Sequence, residues 1–121
     1  MKIAISATGT TLENDVDARF GRCSYFIIVD PDTMEYEYLD NAGLQSGGGA
    51  GIAAARQVAE KGVEAVLTGN CGPNAYEVLS PAGIKVITGV AGNLRDVIED
   101  YKEGRYKEST EANVSNNYGK S

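Results

Sequence analysis

Apolar and polar positions along the chain sort into short apolar runs separated by glycine-rich polar stretches. Lys2–Ala7 alternates, with Ile3 and Ile5 on one face, and predicts a first strand. Thr8–Arg22 is a long polar loop. Ser24–Asp30 is almost continuously apolar or β-branched (Tyr25, Phe26, Ile27, Ile28, Val29), as in a central strand buried on both faces. Pro31-Asp32-Thr33 predicts a turn, and Met34–Leu39 alternates apolar with acidic residues as a half-exposed third strand. The second and third strands then form a hairpin. After the loop Asp40–Gly49, Ala50–Lys61 reads as a helix, with Ala54 and Val58, and Ala53 and Gln57, at i, i+4 spacing and Gly62 as its stop. Glu64–Leu67 predicts a fourth strand, and Asn74–Ser80 a short helix with Pro73 suited to its first turn. Ile84–Thr88 predicts a fifth strand. Asn93 is placed to cap a last helix, Leu94–Glu103, whose Leu94, Val97, Ile98 and Tyr101 share a face.

Helix–strand alternation in the second half requires parallel pairing with right-handed crossovers, and the hairpin forces at least one antiparallel strand. The pattern therefore predicts an α/β fold: a mixed five-stranded sheet with helices on its faces. Residues 1–104 form the predicted domain. From Arg105 to Ser121 the chain is polar without apolar periodicity, so a disordered tail is expected there.

Composition narrows the function classes. The chain has 121 residues, enough for one domain with a real core. Its 11 basic and 17 acidic residues leave a formal charge of −6, which disfavours a general nucleic-acid or anionic-membrane role. No run approaches the ~20 apolar residues that span a bilayer. The N-terminus alternates too strongly for a signal peptide, so the expectation is a cytoplasmic protein. There is no histidine, which removes the commonest metal ligand and the commonest general base. With no nucleophile–base pair in view, catalysis is not expected.

Three segments could carry chemistry: Thr8–Cys23, Gln45–Gly51 and Gly69–Asn74. Cys71 lies in a glycine-flanked turn where the fourth strand passes to a helix. In open α/β sheets ligand sites gather at such carboxyl ends of strands, and a helix N-terminus there favours a thiolate. Cys23 heads the buried second strand and reads equally well as a packed small side chain. Arg19 and Arg22 bracket Phe20 and Gly21 and form a small cationic spot on an acidic protein. The glycines of Gly47–Gly51 (Gly47, Gly48, Gly49, Gly51) precede a helix and could bring bare backbone close to an anion, although no Walker Gly-Lys-Ser/Thr follows. Asp15 and Asp17 could be a carboxylate pair for a divalent metal, and read more simply as a solvated loop.

The segment 17–26 (Asp-Ala-Arg-Phe-Gly-Arg-Cys-Ser-Tyr-Phe), Gly-Gly-Gly-Ala-Gly at 47–51, and 68–75 (Thr-Gly-Asn-Cys-Gly-Pro-Asn-Ala) resemble the dinitrogenase iron–molybdenum cofactor biosynthesis family in motif and in order. The resemblance spans roughly residues 1–103. It implies a ribonuclease-H-like three-layer α/β/α fold, and a small carrier that binds an iron–sulfur or iron–molybdenum–sulfur cluster and passes it to a client metalloprotein or assembly factor. The orange-protein branch binds a molybdenum–copper sulfide cluster. Carried over by position, the motifs point to Arg19–Cys23, Gly47–Gly51 and Cys71; the expectation is Cys71 as a direct metal ligand, with Cys23 as the candidate second. Arg19, Phe20, Gly21, Arg22, Gly47, Gly48, Gly49, Gly51, Asn70 and Gly72 would then surround the cofactor. Some cofactor-carrying members use a histidine to hold the cluster, and this chain has none. Two other classes remain open: a phosphometabolite or nucleotide module using the 47–51 loop, and a regulatory domain that contacts metalloproteins and carries nothing.

Overall fold

The structure, a computed structural model, describes residues 1–45 and 49–108. Strands β1 (Ile3–Ala7), β2 (Tyr25–Val29), β3 (Tyr36–Asp40), β4 (Ala65–Leu67) and β5 (Lys85–Ile87) form one sheet in the order β3-β2-β1-β4-β5. β1, β4 and β5 are mutually parallel, while β2 runs antiparallel to both β1 and β3. The mixed five-stranded sheet expected from the alternation of elements is therefore present. Helices α1 (Ala50–Ala59), α2 (Pro73–Leu79) and α3 (Leu94–Lys102) complete the fold.

Side-chain alternation builds two cores. Ala4, Phe26, Ile28, Val66 and Val86 face Ala54, Ala55 and Val58 of α1 and Ala75 and Leu79 of α2. Ile3, Ile5, Ile27, Val29, Leu67 and Ile87 face Leu94, Val97 and Ile98 of α3, with Leu12 added from the first loop. β1 and β2 are buried on both faces: β2 is the continuous apolar run expected of such a strand, whereas β1, read as alternating, buries its second face through the small Ala4 and Ser6. Because β2 alone runs the opposite way, the carboxyl ends of the other four strands meet its amino end along one sheet edge. The loops after β1, β3, β4 and β5 all leave from that edge.

The third strand differs from expectation. It starts at Tyr36, because Met34 adopts a left-handed φ of 64° and bulges the hairpin. Met34 donates its amide to the Asp30 carbonyl at 2.7 Å, while the Asp30 amide bonds to Glu35 at 3.0 Å. The Asp30 carboxylate accepts from the Asp32 amide at 2.9 Å, a bond that lowers its pKa and ties the turn. As the outermost strand, β3 is mostly exposed rather than half-exposed. The predicted loop after it contains a 3₁₀ turn, Ala42–Gln45. α1 ends at Ala59, and Gly62 takes the left-handed conformation expected of a helix stop. Past Gly104, Arg105 pairs with Asp100 and Glu103, and Tyr106 packs on the α3-side core; residues 109–121 lie outside the described residues.

The predicted cap at Asn93 serves two elements. Its side-chain oxygen accepts from the Arg95 amide at 3.0 Å, and its amide nitrogen donates to the Glu13 carbonyl at 3.1 Å. Asn93→Ala should lower stability by about 1–2 kcal/mol in urea denaturation. Asn93→Asp, which keeps the cap and loses the donor, should fall between the two.

Candidate functional site

The first and third motif segments are joined by main-chain hydrogen bonds. Beyond Ala7 the chain leaves the sheet and returns, with Val16 bridging Ala7. The next residues occupy the place beside β4 that β1 has vacated, and Arg19 pairs in parallel with Asn70. The Asn70 amide donates to the Ala18 carbonyl at 2.7 Å, and the Phe20 amide to the Asn70 carbonyl at 3.2 Å. Beneath them, the Ser6 hydroxyl donates to the Asp17 carbonyl at 2.7 Å and shares a buried hydrogen bond of 2.7 Å with the Thr68 hydroxyl. A polar pair inside a sheet is costly unless satisfied, and here it locks both loop roots to adjacent strands.

Glycine permits this approach. A Cβ at position 69 would stand 2.7 Å from the Ala18 Cα and 2.8 Å from its carbonyl oxygen, so backbone would have to move. At position 21 a Cβ would lie 3.1 Å from the Gly51 Cα, and one on Gly51 would meet Ala75 at 3.5 Å. Gly21, Gly51 and Ala75 thus bring the first segment, the start of α1 and the start of α2 together. Gly49, in the left-handed conformation at φ 74°, is the residue before α1, and Gly72 is the residue before α2. Gly47 and Gly48 lie outside the described residues.

Both thiols point into the α1/α2-side core, and neither is solvent-exposed. The Cys23 thiol donates to the Phe20 carbonyl at 3.4 Å, and the Cys71 thiol to that of Gly72 at 3.7 Å. Burial pushes each up from 9.0 to about 12, aided at Cys23 by the nearby Asp17 carboxylate. The thiolate expected at Cys71 is not the resting form. A helix terminus is worth about 0.3–1 kcal/mol, less than one pKa unit, whereas the burial shift corresponds to roughly 4 kcal/mol. Phe20 is also buried and stacks on Phe26 with ring centroids 5.0 Å apart. Arg19, half exposed, lies 3.9 Å from Asp17, whose carboxylate also accepts the Arg19 amide at 3.0 Å; Arg22 is exposed. Asp17 thus orders the arginine segment.

Sequence reasoning missed Asn41. It is buried at the end of β3, donates to the carbonyls of Gly21 (3.1 Å) and Cys23 (2.9 Å), and accepts from the Gly43 amide at 2.8 Å. Its signal was an asparagine just past a strand and ahead of Ala-Gly, suited to a side-chain-closed turn. Among the described residues no cluster of three or more cysteine or carboxylate side chains could hold a metal ion, and no helix is long and apolar enough to cross a membrane. Arg19 and Arg22 are both exposed in the segment that joins this cluster.

A family model described as dinitrogenase iron–molybdenum cofactor matches residues 1–104. An uncharacterised protein of Methanocaldococcus jannaschii is 32% identical over 108 residues, covering 87% of this chain and 88% of its own. The apo form of the orange protein from Desulfovibrio gigas aligns with a TM-score of 0.89 and 39% identity, over 93% of this chain and 96% of that one. A NifB candidate from Thermotoga aligns with a TM-score of 0.75 and 34% identity, over 88% and 91%.

Two predictions follow from this geometry. Gly69→Ala should cost about 1–3 kcal/mol by overpacking, seen in urea denaturation together with faster amide exchange at Asn70. The raised thiols give a pH signature as well. From pH 9.0 to about 12 the unfolded chain loses thiol protons that the folded chain keeps, so stability is complete below pH 9.0 and falls above it. The slope should be ~1.4 kcal/mol per pH unit for each cysteine. Denaturation midpoints of Cys23→Ala and Cys71→Ala should each show a shallower alkaline decline than the parent.

Proposed function

We propose, from the premise that this chain belongs to the dinitrogenase iron–molybdenum cofactor family, that it carries an anionic metal–sulfide cluster on the loop cluster and delivers it to a client metalloprotein or assembly factor. The family and its structural relatives fit a cofactor-carrier role in iron–molybdenum-cofactor-related processes. The strand order, with β2 alone reversed, supports reading the fold as ribonuclease-H-like. The observation that carries the functional reading is the convergence of three sequence-distant segments. Asn70 is hydrogen-bonded to Ala18 and Phe20, and Gly21 lies against Gly51.

In this reading the cargo meets the outer side of the cluster first. Arg19 and Arg22 offset its charge, and backbone N–H groups near Gly49, Gly51 and Gly72, with Gly47 and Gly48, donate to its sulfides, while Asn70, its own amide held by Ala18, positions the turn. Cys71, with Cys23 as second, becomes a ligand only once its thiol is uncovered and deprotonated. Burial makes that step unfavourable for the closed protein. Loading is therefore coupled to local opening of the 69–72 turn, and the charge of the cargo offsets the cost of ionising the thiol. The role is binding and transfer in the cytoplasm, without catalysis. A phosphorylated metabolite at the start of α1 is the competing occupant.

Anaerobic reconstitution with iron, molybdate and sulfide distinguishes these roles by metal and acid-labile sulfide content. Arg19→Glu/Arg22→Glu should weaken uptake tenfold or more. Cys71→Ser should lose bound cluster, and Cys23→Ser should lose less. Equal metal and sulfide in Cys71→Ser and the parent would remove Cys71 as a ligand. Saturable nucleotide or phosphate binding that survives replacement of both cysteines would favour the phosphometabolite.

A further inference from the structure

Among the described residues the outer edge of β3 is bare. β3 is last in the sheet, and among the described residues no strand pairs with its far side. Its hydrogen-bonding phase follows from its two ends. The Asp30 amide bonds to Glu35 and the Asn41 amide to Ser24. In an antiparallel ladder such pairs alternate, so Glu35, Glu37, Leu39 and Asn41 direct their main chain at β2. Tyr36, Tyr38 and Asp40 turn theirs outward. Gln57 of α1 confirms the phase: its side-chain amide donates to the Asp40 carbonyl at 2.7 Å and accepts from the Ala42 amide at 3.1 Å. Gln57 closes that end of the edge, and among the described residues nothing bonds the outward N–H and C=O groups of Tyr36 and Tyr38.

The side chains here are also unlike the rest of the surface. Tyr36 is 42% exposed and Tyr38 52%. Tyr25 stacks edge-on against Tyr38, at 5.8 Å and 88°, and fixes its ring. Residues 30–40 carry Asp30, Asp32, Glu35, Glu37 and Asp40 and no lysine or arginine. Asp30 lies 3.7 Å from the N-terminal ammonium, and Glu37 is paired with Lys61 at 3.0 Å. Asp32, Glu35 and Asp40 form no ion pair among the described residues.

Charge decides the occupant. A second copy pairing β3 against β3 would oppose acidic residues with acidic residues, which is destabilising. We propose that the outer edge of β3 docks a basic, extended segment of a partner protein, which adds to the sheet as a sixth strand. Its main chain meets Tyr36 and Tyr38. Its lysine or arginine side chains lie beside Glu35 and Glu37, and its apolar side chains lie beside the tyrosine rings. This inference does not depend on what the loop cluster carries, and the metal-free protein suffices to test it.

The probe is a capped six-residue peptide of alternating lysine and valine, titrated into the full chain and read by amide hydrogen exchange. Saturating peptide should slow exchange at the Tyr36 and Tyr38 amides tenfold or more, and added salt should weaken binding. The same peptide with glutamate for lysine, or with alternate amides methylated so that one edge cannot donate, should give no protection. Glu35→Lys/Glu37→Lys, both at exposed positions, should reverse the preference toward the glutamate peptide. Absence of protection at both tyrosines, equal binding of the two peptides, or concentration-dependent protection without peptide (a second copy on the edge) would each overturn the proposal.

Discussion

The contact on which the site depends is the main-chain pairing of Ala18 and Phe20 with Asn70. Parallel pairing of β1 and β4 ends at Ile5 and Leu67. Above that point the returning first loop takes the position beside the β4 turn that β1 has vacated. The substitution works because position 69 has no side chain and because the Ser6 and Thr68 hydroxyls satisfy each other below. The rest of the site follows from it. Once Ala18–Phe20 is held, Phe20 fills the α1/α2-side core, Gly21 reaches Gly51, and Cys23 is carried inward at the head of β2.

That arrangement separates two jobs that a short motif seems to combine. The cysteines complete a core, while the arginines are exposed and Gly21, Gly51, Gly69 and Gly72 are half-buried. The balance between helix terminus and burial at Cys71 is settled by size: the dipole of a seven-residue helix cannot offset full desolvation of a thiolate. A carrier built this way holds its empty state closed.

Much of the architecture was legible in the sequence because each element carries a local signal. β2 shows as a continuous apolar run, α3 as a stripe with Asn93 ahead of it, and α2 as a proline at its first position. Strand and helix boundaries moved by a residue or two. The exposure of β3 was not legible, since alternation reports one face and says nothing of an outermost position in the sheet. At the site, the motifs named the segments that meet, but the burial of the thiols depends on packing between residues far apart in the chain. Asn41 was missed for the same reason: its partners, Gly21 and Cys23, are remote in sequence. Gly47 and Gly48 lie outside the described residues, and their part rests on the resemblance.

The buried thiols have one more consequence, for survival rather than binding. Thiolates attack peroxides and disulfides, and a neutral thiol shut inside a core has neither the charge nor the access to do so. Cys23 and Cys71 are both in that condition. The folded chain therefore keeps these thiols reduced through its own packing. The window of oxidative damage opens only when the protein opens.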